Sequence, residues 1–240
     1  MVPQIRVFGV LYRKTISWVE HLSSGFQKVR TRECVGIGFS NLLNNLQPLP
    51  TAYLPSISYF QEFLGSHFYV EINESYKKQT FRNRCEILTS NGIQQLSIPV
   101  VHGKGKKLKT KEVEIDYSSN WQTLHSRAIR TAYASSPYFE DYFQELDYII
   151  NKNHQFLIDK NSELLYFICK SLDIKIEMIE TTEFVLNNEN TLTRNFLEKN
   201  INIGFVYQQV IGFSSEFVSN LSMVDLLFNE GPMARNRLLV

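Results

Sequence analysis

Cysteine is scarce in this 240-residue chain: there are three, Cys34, Cys85 and Cys169, none close to another. An odd, dispersed set forms neither a disulfide framework nor the paired spacing of a zinc site, and reads as reduced thiols in a cytoplasmic protein. Net charge is nearly absent too, at +1. Nucleic-acid binding needs a concentrated basic stripe, so nucleic acid is not an expected partner. Long apolar runs are missing. The run around Leu164–Cys169 is short and flanked by charge, far below the roughly 20 residues that span a bilayer. Arg6, Arg13 and Lys14 near the N-terminus are not followed by the continuous apolar stretch and small-residue site of a signal peptide.

Other absences narrow the chemistry. His21, His67, His102, His125 and His154 make up the histidines. No two share metal-ligand spacing, so no metal is expected. The glycine- and lysine-rich run Gly103–Lys111 lacks the ordered glycines before Lys-Ser or Lys-Thr of a phosphate loop, and reads as a solvated loop. Nothing marks a cofactor, and no internal repeat appears.

What is abundant is aromatic surface: 17 Phe and 12 Tyr, within a chain 43% hydrophobic and 20% charged. That composition is globular and supplies a large core. Residues 1–48 differ from the rest. They carry Arg6, Arg13, Lys14, Lys28, Arg30 and Arg32 against Glu20 and Glu33, with no sustained period of 2 or 3.6. We read 1–48 as a weakly structured or mis-assigned extension, and 49–240 as one domain.

Within that domain, Pro50 and Pro55 bracket Tyr53 and interrupt regular structure. Ile57, Phe60, Leu64 and Phe68 recur at helical spacing, and Phe68–Ile72 reads as a buried strand. Cys85–Leu88 and Gln95–Val101 read as strands around the Asn91-Gly92 turn, a hairpin. Val113 and Ile115 suggest a short strand. Helices follow near Asn120–Tyr133, on the face Tyr138, Tyr142, Leu146 and Ile149, and on the face Leu157, Leu164, Leu165, Ile168 and Leu172. Ile174–Ile179 and Phe205–Gln208 look like strands, and Glu189–Lys199 like a short helix. Ser222 caps a last helix that Gly231-Pro232 stops. The class is α/β: a mixed sheet with helices in a single domain.

Several motifs then resemble one family. Pro50-Thr51-Ala52-Tyr53-Leu54-Pro55 with Tyr59-Phe60 resembles the opening motif of the WbqC-like proteins, although Pro50-Thr51 stands where the family has Gln-Pro, and Ser58 where it has Gly. Tyr76–Arg84 is similar to its basic Arg-Asn-Arg segment, and Ile87–Pro99 to the hairpin after it. Trp121, His125, Tyr133 and Ser136–Phe139 resemble its later helical motif. Leu221–Pro232 resembles the closing motif of variants from Bacteroidetes-type bacteria. The resemblance spans about residues 49–233. It implies a role in bacterial surface-polysaccharide (O-antigen) gene clusters, in a transferase decorating amino sugars or sugar nucleotides, by amino-acyl (glycyl) transfer. By analogy it also suggests a nucleotidyltransferase-like, doubly wound sheet.

Each candidate residue has a functional and a structural reading. In a strand, Arg82 and Arg84 point the same way and would clamp a phosphate or carboxylate between them. Alternatively each pairs with its own acid, such as Glu71 or Glu86. Asn83 lies between them, and Lys78 adds charge or is simply solvated. His125, one turn after Trp121, manages a proton or is a satisfied buried imidazole. Tyr53, Tyr59 and Tyr76 stack on a sugar or base, or belong to the core. Thr51 offers a hydroxyl to phosphate. Asp225 is a catalytic carboxylate or the polar member of a final helix. Cys85 is activated by Arg84 or buried and inert. The resulting expectation is an enzyme for a small anionic substrate (a sugar nucleotide or amino acid), with a homodimer left open. The alternative is a non-catalytic protein binding an anionic glycan precursor or a partner enzyme.

Overall fold

The computed structural model describes residues 5–9, 47–65, 68–101, 108–174, 177–181, 202–210 and 216–239. Most of the 1–48 segment, the core of the Gly103–Lys111 run and the expected helix at 189–199 lie outside these residues, as do Cys34, His21, His67 and His102.

Strand β1 (Ile5–Gly9) pairs antiparallel with a strand late in the chain, Glu177–Thr181. Strand β2 (Gln47–Pro50) leads into helix α1 (Ile57–Gly65) and strand β3 (Phe68–Glu71), which returns parallel to β2. This is a small βαβ unit, and Leu49, Ile57, Phe60 and Val70 bury its inner face. Strands β4 (Arg84–Thr89) and β5 (Gly92–Ser97) form the expected antiparallel hairpin. Gly92 has φ +98, a conformation that costs other residues. Cys85, Ile87 and Leu96 turn to the core, while Ile93, Gln94 and Gln95 face solvent.

Three helices follow as their periodicity predicts: α2 (Trp121–Tyr133), α3 (Phe139–Asn151) and α4 (Leu157–Ser171). Neighbours in sequence pack on one another. The end of α3 is stapled by a charge from α4. Lys160, 0% exposed, donates from Nζ to the carbonyls of Ile149 at 2.6 Å, Ile150 at 3.0 Å and Lys152. Those are carbonyls a helix end leaves without partners, and its dipole favours a cation there. Burial pulls the Lys160 pKa down to about 8.

After strand β6 (Glu177–Thr181), helix α5 (Met223–Glu230) is buried from one end to the other apart from half-buried Glu230, its polar Asp225 and Asn229 included. Its entry is tied to both earlier units. Ser222 caps it by accepting from Val224 N, donates to Leu54 O, and sends its own backbone N–H to Glu86 O. Met223 N donates to Pro55 O, and Ile57 N to Leu221 O. A short helix α6 (Ala234–Leu238) ends the described chain. No helix among the described residues is long and apolar enough to cross a membrane.

The mixed α/β class holds. The described strands form three two-stranded sheets rather than one doubly wound sheet. Two expected strands differ. Glu114 and Ile115 make only isolated bridges, to Phe156 and Val100. Residues 202–210 form no strand, because side chains rather than a ladder hold them. Tyr207 bonds Asp225, the Gln209 amide bonds both the N–H and C=O of Val218, and Asn229 accepts from Val210 N.

Gly231 ends α5 at φ 55. A Cβ built there would lie 2.5 Å from the Tyr138 ring. The backbone strain and the clash act together, so Gly231→Ala should lose about 2–3 kcal/mol of stability. Urea denaturation checks this, and an unchanged midpoint would mean that the Tyr138 ring moves aside freely.

Candidate functional site

The Arg82-Asn83-Arg84 segment is a turn running into a strand, not a strand throughout. Arg82 sits in the turn and Arg84 opens β4, so the two guanidiniums do not share one strand face. Arg82 is 1% exposed and fully engaged. It makes a forked pair with Glu74, Nε to Oε1 at 2.7 Å and Nη2 to Oε2 at 2.8 Å, while Nη1 donates to Thr80 Oγ1 at 3.2 Å. Its acid is thus Glu74 rather than Glu71 or Glu86. Asn83 clamps the turn onto the chain after β5. Its side-chain amide donates to Ile98 O, and its carbonyl accepts from Ile98 N.

Arg84 differs. Its Nε is buried and has no partner among the described residues, and the same is true of the Tyr76 hydroxyl and Asn83 Oδ1. Tyr76 lies within reach of both cations. Burial raises its pKa to about 12, and the charges of Arg82 and Arg84 offset part of that rise. Buried donors without acceptors are rare, because each costs the desolvation of the group. Lys78 is exposed to solvent.

A second group joins Tyr53, His125 and Trp121. The Tyr53 hydroxyl meets His125 Nδ1 at 2.8 Å, and the Trp121 ring stands edge-on to the imidazole at 5.1 Å. Trp121 Nε1 is buried without a partner. Burial drives the His125 pKa down to about 4, and a hydrogen bond to the Ser97 backbone opposes this only in part. The ring is therefore neutral near pH 7, and its Nδ1 is engaged by the Tyr53 hydroxyl. Thr51, two residues before Tyr53, is buried and accepts from Asn161 Nδ2 at 3.0 Å.

Asp225 sits elsewhere, 1% exposed. Tyr133 donates to its Oδ2 at 2.7 Å and Tyr207 to its Oδ1 at 2.5 Å, with Gln209 and Asn229 at 3.4 Å. Burial raises its pKa, and these donors lower it again. Tyr133 and His125 are eight residues apart on α2, or about 12 Å along the axis, so Asp225 and His125 do not meet in one centre. Tyr59 is buried and donates to Pro50 O at 2.8 Å. Cys85 is buried, and burial pushes its thiol pKa up, away from a reactive thiolate.

The structure thus gathers Tyr76, Asn83 and Arg84 around the Arg82–Glu74 pair, and Tyr53, Trp121 and His125 around an imidazole. Among the described residues no group of three His, Cys, Asp or Glu is placed to hold a metal ion. Three residues escaped sequence reasoning: Glu74, Lys160 and Asn161. Asn161, on α4, also donates to Arg82 O at 2.8 Å, from 79 residues away. Nothing in the sequence singles out one asparagine in an amphipathic helix.

The neutral imidazole has a measurable consequence. A histidine whose folded pKa lies below its unfolded value of 6.5 favours folding fully above 6.5, and that contribution is lost as pH falls toward 4. The size is about 3 kcal/mol. The wild-type urea midpoint should therefore fall between pH 6.5 and 4 more steeply than that of His125→Gln. Parallel curves would show that His125 titrates normally in the folded chain.

The model of the WbqC-like protein family matches residues 50–204. An uncharacterized protein of Mycobacterium tuberculosis is 30% identical over 142 residues, which is 58% of this chain and 61% of that protein. The match thus spans less than two thirds of the relative. No solved structure matches. The matched stretch holds the opening motif, the Arg-Asn-Arg turn and the Trp121–His125 helix, and leaves the closing run at 221–232 outside it. On that match the chain belongs to the WbqC-like protein family.

Proposed function

We propose that this protein takes an amino-sugar or sugar-nucleotide precursor of bacterial surface polysaccharide, gripping its phosphate or carboxylate with Arg84 and Tyr76. The observation that carries this reading is the pair of unpartnered donors, Arg84 Nε and the Tyr76 hydroxyl, beside a cation already neutralised by Glu74. An oxyanion supplies the acceptors both donors need, and arginine presents them in a suitable fork. Arg82 is then scaffold rather than half of a clamp. Amino-acyl transfer to the sugar is the reaction that the family resemblance suggests. In it His125 and Tyr53 form the one candidate proton-handling pair.

A second reading is a non-catalytic carrier or accessory protein for the same anionic precursor. It is favoured by the saturation of both candidate catalytic groups: His125 is bonded to Tyr53, and Asp225 is enclosed by four donors. The two readings share the anion site and differ only in turnover.

Thermal denaturation of the full chain with orthophosphate, UDP and UDP-N-acetylglucosamine tests the site. A ligand at a hundred times its Kd adds about 2.7 kcal/mol, or roughly 5–10 °C in a chain this long. We expect Arg84→Ala to abolish the shift, Tyr76→Phe to reduce it, and Lys78→Ala to keep it. No shift with any anion, or an equal shift in Arg84→Ala, would remove the grip. Binding without acylated product from an amino sugar and an activated amino acid would favour the carrier.

A further inference from the structure

The β4–β5 hairpin has two long edges, and they are treated differently. Ile98 N donates to Asn83 O at 2.8 Å, so the pair next to Arg84↔Ser97 exchanges backbone hydrogen bonds. Pairs along an antiparallel ladder alternate between bonded and non-bonded. Arg84↔Ser97, Glu86↔Gln95 and Leu88↔Ile93 are therefore the pairs whose N–H and C=O groups point away from the partner strand. The outer edge of β4 agrees: Glu86 O accepts from Ser222 N, and Leu88 N donates to the Tyr133 hydroxyl. On β5 the outward residues are Ile93, Gln95 and Ser97. A hydrogen bond from His125 to the Ser97 backbone closes that end. Among the described residues nothing bonds the outward backbone groups of Ile93 and Gln95. Ile93 is 55% exposed, and Gln94 and Gln95 are exposed beside it.

An exposed edge is a template for another strand, and proteins guard such edges with charge, proline or a bulge. Strand β5 has no charged residue and no proline, and its register with β4 runs without a bulge. We propose that β5 pairs antiparallel with β5 of a second copy of this chain, joining two hairpins into one continuous sheet. The open stretch is bounded by the Asn91-Gly92 turn at one end and by His125 at the other, and within those bounds it matches itself. Turned about a two-fold axis through Gln94, Ile93 of each copy meets Gln95 of the other, and all the open backbone groups of both residues find partners. No charge is brought opposite a like charge. The contact uses the same patch on both copies, as a closed two-fold dimer requires. A foreign peptide added to an edge takes its specificity from pockets beside the strand. Neither the cavity near Thr51 nor the one near Phe205 is lined by β5. The pairing is independent of the anion grip and does not need it.

The axis makes a charge test possible. At its centre Gln94 faces Gln94 of the second copy in a non-bonded pair, where opposing side chains come closest. Gln94 is exposed, so a charge there leaves the single chain folded, and an unchanged urea midpoint checks this. Sedimentation velocity is run on the full chain at about 100 μM, because an interface of one strand is small and weak. We expect the wild type to sediment as a dimer. Gln94→Lys and Gln94→Glu should each weaken association about tenfold by setting like charges opposite one another. An equal mixture of the two variants should regain it. A wild type that stays monomeric would overturn the pairing and leave the edge to a different protein. Unweakened association in both charged variants, or a loss that the mixture does not restore, would overturn it too.

Discussion

A carboxyl group buried in an apolar core must find enough hydrogen bonds to replace water, and Asp225 is where this fold meets that demand. Helix α5 runs through the interior with nearly every residue covered, so its one acidic side chain in the first turn has nowhere to go. Tyr133 comes to it from α2, Tyr207 and Gln209 from the 202–210 strap, and Asn229 from the next turn of its own helix. Tyr133 also accepts from Leu88 N, which carries the tie into β4. One carboxyl group thus fixes a helix, a strap and a strand relative to each other. With the end of α2 pinned, its start must present Trp121 and His125 beneath Tyr53. The imidazole cluster is downstream of Asp225 in structure, though the two are apart in space.

The same rule, applied across the molecule, sets the candidate site off from the scaffold. Lys160 is satisfied by three carbonyls and Arg82 by a carboxylate and a hydroxyl. Breaking such a buried partnership is costly, so these charges serve architecture. Six buried side-chain atoms among the described residues have no partner. Four of them belong to Tyr76, Asn83, Arg84 and Asn161. Two of those residues lie in the Arg-Asn-Arg segment, one bonds the Arg82 carbonyl, and one feels both arginine charges. The other two are Trp121 Nε1 and Ser136 Oγ, so the open polar groups are concentrated around one turn without being confined to it, and that concentration supports the proposed ligand there.

Local signals were legible and partner choices were not. The helices α1 to α4 follow from apolar spacing of three and four, and the ends of α5 from Ser222 and Gly231, because those constraints act within one turn of chain. The hairpin follows from Asn91-Gly92 for the same reason. The strand expected at Phe205–Gln208 failed because alternation does not say whether a neighbouring strand is available. Here Asp225 and Asn229 take the place of one. The placing of Arg82 and Arg84 on one strand face failed because Asn83 holds a turn by bonding Ile98 on both sides of its peptide, a contact across fifteen residues. Asn161 was illegible, since its role exists only where α4 crosses Thr51 and Arg82.

The two arginines show why residue type alone is a poor guide to a site. They are two positions apart and chemically identical, one buried and the other half-buried. Glu74 cancels one, so the turn's net charge rests on the other. A single uncancelled guanidinium beside a phenol suits one edge of an oxyanion, and it leaves the charge of the turn balanced once that anion arrives.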